Sequence, residues 1–159
     1  MIHQKFVFKQ FVIITLVVSI WIHISEVFRY FIFVMPRVKA FFDERKGIAE
    51  MDLGIFSVWG LWDTLLTGIL VFVFWLFANV FGNNTRSVLL SAIIVWAAVF
   101  VIFWVAAVNM GFSNWSILLI TLPLSLLEMI IGSWLVSKLY ASSRWAVKDV
   151  STSLMSTLF

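Results

Sequence analysis

Polar residues are scarce along most of this chain, and their positions divide it into segments. Apolar residues dominate four stretches, Phe11–Met35, Gly54–Val80, Ser87–Met110 and Trp115–Leu139. Each exceeds the roughly 20 residues that a helix needs to cross a hydrocarbon core of about 30 Å. Polar runs separate them: "PRVKAFFDERKGIAEMDL", the Gly82–Asn84 turn, and a turn containing Asn109, Gly111 and Asn114. The pattern predicts an all-α fold, an integral membrane four-helix transmembrane bundle, forming one domain over 1–159 with a short C-terminal tail.

Pro36 is expected to end the first helix, because it lacks a backbone donor and restricts the residue before it. At 1.5 Å per residue the first helix would be about 37 Å long, so it should tilt or emerge into the headgroups. Val38, Phe41 and Phe42 then share one helical face, with Arg37, Lys39, Asp43 and Glu44 largely elsewhere. This predicts an interfacial helix over 37–50, broken near Gly47, with a solvated charged loop as the alternative. Pro123 lies inside the fourth stretch and predicts a bend just before Glu128. In the tail, Val147, Val150, Leu154 and Leu158 fall on one stripe, which reads as a weak surface helix or a frayed end. The four stretches show no internal repeat.

Composition sharpens the class. The 159 residues are 63% hydrophobic and 12% charged, against about 45–50% and 25% in soluble domains. No segment outside the stretches is long enough for a separate soluble domain. Lys5 and Lys9 precede the first stretch, as in a signal peptide, but the apolar run is too long and no small-x-small site follows. It reads as a retained helix. The net charge of +3 sits mainly at helix ends, where it meets lipid headgroups; no nucleic-acid partner is expected. Four spans place both termini on one side, together with Lys5, Lys9, Arg86, Lys138, Arg144 and Lys148. Arg37, Lys39, Arg45 and Lys46 lie on the other. That balance predicts cytoplasmic termini in a cell (inner) membrane. The chain has no cysteine, which excludes disulfides, thiolate metal sites and cysteine nucleophiles. Two acceptor triplets for glycosylation, at Asn83 and Asn114, fall on opposite sides and carry no weight.

The candidate chemistry is in the ionisable residues inside the spans: His23, Glu26, Arg29, Asp63 and Glu128. Such groups are costly in hydrocarbon and are expected to face the bundle interior. Ser19, His23, Glu26 and Tyr30 share one face of the first helix, and Arg29 is placed to pair with Glu26, or secondarily with Asp63. Thr121, Ser125, Glu128 and Gly132 form a matching stripe on the fourth helix, small enough for close helix contact within the chain or with a partner. Glu26 and Asp63 should lie at similar depth, and Glu128 near mid-span. Trp59 and Trp62 flank Asp63 and either line a pocket around it or face lipid.

These residues support four readings. One is ion- or proton-coupled transport, with Glu26 and Glu128 as carriers, Asp63 beside them and His23 as a relay. A second is a structural or accessory subunit of a larger membrane complex, with Glu26 paired, Asp63 bonded to a neighbouring helix and Glu128 neutral. A third is a metal site using His23, Glu26, Asp63 and Glu128. A fourth is a lipid-modifying membrane enzyme, in which Arg29 holds an anion and Tyr30 or Glu26 moves a proton. The first is carried forward as the working hypothesis, with the structural or accessory subunit as its main alternative. The chain is expected to assemble as a homo-oligomer or with other membrane subunits, and no cofactor can be assigned.

Overall fold

Asp52, Asn84 and Asn114 each stand at a helix start and accept a hydrogen bond from the backbone N–H three residues on. The donors are Ile55 at 2.7 Å, Ser87 at 3.1 Å and Ile117 at 3.0 Å. These side chains satisfy amides that a helix cannot satisfy internally, and so fix where three of the helices begin. The computed structural model describes residues 6–42 and 52–142. Among them are four helices long and apolar enough to cross a membrane: α1 (Phe8–Phe42), α2 (Leu53–Phe81), α3 (Thr85–Asn109) and α4 (Trp115–Ser142). Gly82 and Gly111, at φ of 79° and 76°, make the α2–α3 and α3–α4 turns, where a Cβ would be strained.

Pro36 does not end the first helix. The chain stays helical to Phe42 because a π-helical turn, Tyr30–Val34, directly precedes the proline. In that turn Met35 N–H reaches back five residues to the Tyr30 carbonyl. The widened turn leaves room for the pyrrolidine ring, which then sits near the start of a fresh α segment, where a missing donor costs little. Residues 37–42 therefore continue α1. The rest of the expected interfacial helix, and the tail stripe at 147–158, lie outside the described residues. A second π turn, Ala97–Val101, interrupts α3. Pro123 lies within α4, which remains helical from Trp115 to Ser142.

The helices form a closed ring. α1 packs on α2 and α4, α3 packs on the same two, and α2 also meets α4 across the middle. Ile22, Leu70, Val71, Phe74, Met129 and Val136 fill the centre. Gly132 sets the closeness of the contact: a Cβ there would lie 3.1 Å from Ile22 and 3.2 Å from Leu70. Thr121, Ser125 and Gly132 thus serve packing inside the chain, and not an outer contact with a partner.

Few polar bonds cross between helices, and each joins groups that lipid could not satisfy. Ser91 and Ser133 share a hydrogen bond of 2.7 Å between α3 and α4, and Ser133 also donates to Val88 O at 3.0 Å. The Trp96 indole donates to Leu122 O at 2.9 Å. Asn83 bonds to both the hydroxyl and the carbonyl of Ser137, at 2.6 and 3.0 Å, and so ties the α2–α3 turn to α4. Outside, Leu16, Ile20, Ile24, Leu61, Leu65 and Leu119 are exposed. A shell this apolar around a polar-bearing interior is the arrangement of a lipid-embedded protein.

Candidate functional site

Glu26, Arg29, Asp63 and Glu128 are all buried, at 7%, 5%, 3% and 1% exposure. Their helix positions explain this. Three residues separate Glu26 from Arg29 on α1, so the two side chains share a face and form an ion pair. α4 packs against that face and brings Glu128 to 3.7 Å from Arg29 Nε. Ser25 donates to the Glu128 Oε2 atom at 2.9 Å, and the Trp21 indole donates to the Glu128 backbone carbonyl at 3.3 Å. Helix α3 supplies no charge to the cluster. It supplies Phe100, delivered by its π turn, whose ring centroid lies 5.1 Å from the Arg29 guanidinium carbon. The negative face of the ring is a favourable neighbour for a guanidinium that has few water contacts.

Arg29 separates two cavities and is the one residue common to both. The larger, about 340 Å³, lies among all four helices. Its polar groups are Glu26, Arg29, Asp63, Thr121 and the Tyr30 hydroxyl. Six aromatic residues, Tyr30, Trp59, Trp62, Phe100, Phe103 and Trp104, make much of its wall. Tyr30 and Trp59 meet edge to face at 4.7 Å and hold one side of it. The smaller cavity, about 180 Å³, lies between α1 and α4 and is reached by Ser25 and Glu128.

Several polar atoms here have no hydrogen-bond partner among the described residues: Arg29 Nη1, Thr121 Oγ1 and Glu128 Oε1. The Asp63 carboxyl likewise makes no ion pair or hydrogen bond, although it is almost wholly buried on the larger cavity. Its hydroxyl neighbour on the helix, Thr67, donates instead to the Asp63 backbone carbonyl at 2.7 Å. Unsatisfied buried polar groups are costly, and these lie together along the two cavities.

His23 stands apart. Its Nδ1 lies 2.6 Å from Ser19 O and its Nε2 2.9 Å from Gly60 O. A neutral ring has one N–H and can donate to only one of these carbonyls. His23 lines neither cavity. Its ring bridges α1 to α2, and Gly60 permits the approach, since a Cβ there would lie 3.4 Å from Nε2. Glu26 and Glu128 thus lie at Arg29 and Asp63 lines the cavity that Arg29 also lines, while both nitrogens of His23 are directed to backbone carbonyls. Among the described residues no three His, Asp or Glu side chains converge as metal ligands would.

Trp59 and Trp62 both line the larger cavity, and Trp62 is also 56% exposed. Sequence reasoning did not find Ser25, Phe100 or Thr121 as members of this site, because none is charged. Thr121 and Glu128 share a stripe, which was the available cue. Phe100 carried none. No family model, no curated protein and no solved structure matches this chain.

Proposed function

We propose that this membrane protein moves a cation or a proton across the bilayer through the carboxyl groups around Arg29. The observation that carries this reading is the Asp63 carboxyl, buried on a cavity of about 340 Å³ with no partner among the described residues. Two carboxyl groups, Glu26 and Glu128, lie at the Arg29 guanidinium, and a third, Asp63, lines the same cavity as Arg29. The cluster is therefore short of positive charge, which a cation or protons would supply. Because Glu26 is tied to Arg29, the carrier roles fall to Asp63 on one side of the guanidinium and Glu128 on the other. His23 has a positioning role, holding α1 against α2, in place of the relay first expected.

This reading keeps the termini cytoplasmic. It also keeps assembly with further copies or other membrane subunits, now through the lipid-facing side of α3 in place of the α4 stripe. The test is reconstitution of the purified chain in vesicles carrying a pH or cation gradient. Flux that depends on the gradient is expected, and Asp63→Asn and Glu128→Gln should each abolish it while the protein stays folded. Flux unchanged in both variants, or none in the wild type, would remove the transport reading; the latter result would favour an accessory subunit.

A further inference from the structure

We infer that the larger cavity binds a lipophilic organic cation, and that this ligand enters from the bilayer between α2 and α3. The inference rests on the reading of that cavity as the site for a cation, and it names the cation's chemistry.

Among the described residues the Asp63 side chain has no partner, and the one guanidinium in the cluster is engaged by Glu26. Among the described residues, every charged or titratable group facing the cavity is on α1 or α2: Glu26, Arg29 and Tyr30 on α1, and Asp63 on α2. None of them comes from α3 or α4. Among these groups the acids outnumber the one cation, and Asp63 is the uncommitted acid.

The wall then selects the kind of cation. Magnesium and calcium demand six or more oxygen ligands, or retained water. Here the Glu26 carboxyl is already engaged by Arg29, and the wall is dominated by Tyr30, Trp59, Trp62, Phe100, Phe103 and Trp104. Aromatic faces stabilise a desolvated cation, and they suit alkylated ammonium groups in particular, which hold no tight hydration shell. One acid beside an aromatic cage therefore suits an ammonium carrying apolar substituents.

The route follows from what lies next door. A third space, a groove of about 370 Å³ and almost wholly apolar, runs along the α2–α3 face outside the two interior cavities and shares Trp62, Leu66 and Val99 with the acidic one. Its remaining wall is Val58, Leu61, Leu65 and Ile69, all of which are exposed on the lipid side. Trp62 stands between the two spaces and belongs to both. A ligand with an apolar body could dissolve in the bilayer, lodge in the groove and pass the indole with its charged end leading toward Asp63.

The experiment uses the full chain in nanodiscs and radiolabelled benzyltrimethylammonium, with neopentylbenzene as its uncharged isostere. Saturable binding is expected, with the isostere competing about tenfold or more weakly. Asp63→Asn should weaken binding about tenfold, whereas Trp134→Ala, on the outside of α4, should not. Ile69→Trp, which fills the groove, should slow association several-fold while leaving equilibrium affinity unchanged. Should Asp63→Asn fail to fold, the wild type decides: the probe should protect Asp63 from carbodiimide labelling read by peptide mass. Equal competition by the isostere would reduce the cavity to an apolar hole and overturn the inference. Binding that ignores a folded Asp63→Asn, or labelling that ignores the probe, would also overturn it. An unchanged association rate in Ile69→Trp would overturn the lateral route. Inorganic cation or proton flux without probe binding would overturn this inference and leave the transport reading intact; probe binding without flux would do the reverse.

Discussion

Arg29 is the residue on which the interior charge arrangement depends. It pairs with Glu26, approaches Glu128 to 3.7 Å and lies over the Phe100 ring. A buried ion pair is not in itself a strong stabiliser, since desolvating two charges offsets most of their attraction. Removing one partner is a different matter, because the other charge stays buried alone. Arg29→Ala is therefore expected to lower stability by about 3–5 kcal/mol. The double change Arg29→Ala with Glu26→Ala should recover part of that loss, because it removes the stranded carboxylate as well. Unfolding of the four proteins of the cycle in one detergent measures this. Strictly additive single effects would mean that the pair does not interact. Recovery should be incomplete, because Glu128 would still lack its cationic neighbour. His23→Ala makes a useful contrast. It breaks the bridge to the Gly60 carbonyl but strands no charge, so its cost should be smaller.

At the level of the helices, close approach depends on a few small residues. Gly132 leaves little room for a side chain, with the terminal methyls of Ile22 and Leu70 at 3.1 and 3.2 Å from where a Cβ would stand. Gly132→Val is expected to destabilise by about 1–3 kcal/mol through overpacking. Gly68→Ala is the matched control, since its new Cβ would meet Phe11 at 3.7 Å and Thr15 at 3.8 Å, ordinary contact distances. It should be neutral or slightly stabilising, given the better helix propensity of alanine. Thermal unfolding of both in the same lipid mimetic separates the two cases. The helices themselves were legible from run length, because nothing but a span explains four apolar stretches in so short a chain. The Glu26–Arg29 pair was legible from its spacing, and Glu26 and Asp63, expected at similar depth, line one cavity. The approach of Glu128 to Arg29 was not, because it depends on how α1 and α4 are rotated about their own axes. Neither π turn was legible. "YFIFV" and "AAVFV" are apolar runs with no period-breaking residue, and the five-residue bond is a choice of backbone register that side chains of this kind do not mark. That choice matters, since one extra residue in a turn rotates everything beyond it by about 100°. It is also why Pro36, correctly a poor residue for a helix interior, fails to stop α1.

For the whole molecule, the depth of the larger cavity gives orientation a functional consequence. Its lining comes from the late part of α1, the first turns of α2, the end of α3 and the start of α4. All four belong to the half of the bundle nearest the 42–52 connection and the Gly111 turn. Four crossings put Arg86 on the side of the N-terminus and Phe112 on the other, and Phe112 is exposed. Arg86, over the Phe81 ring at 4.0 Å, and Lys138, over Trp134 at 5.5 Å, mark the boundary on the terminal side. Lys and Arg favour that side, so the termini are expected in the cytoplasm and the acidic cavity in the outer half of the membrane. The absence of cysteine makes the test clean. In intact cells, a membrane-impermeant maleimide should label Phe112→Cys and leave Arg86→Cys untouched until the cells are opened. The reverse pattern would turn the cavity to the inner leaflet without changing the fold. Labelling of both from the same face would break the four-span arrangement itself. Under the proposed transport, the expected orientation would let a cation presented outside meet Asp63 from the outer half of the membrane, with Glu128 across the guanidinium as the next carboxyl group.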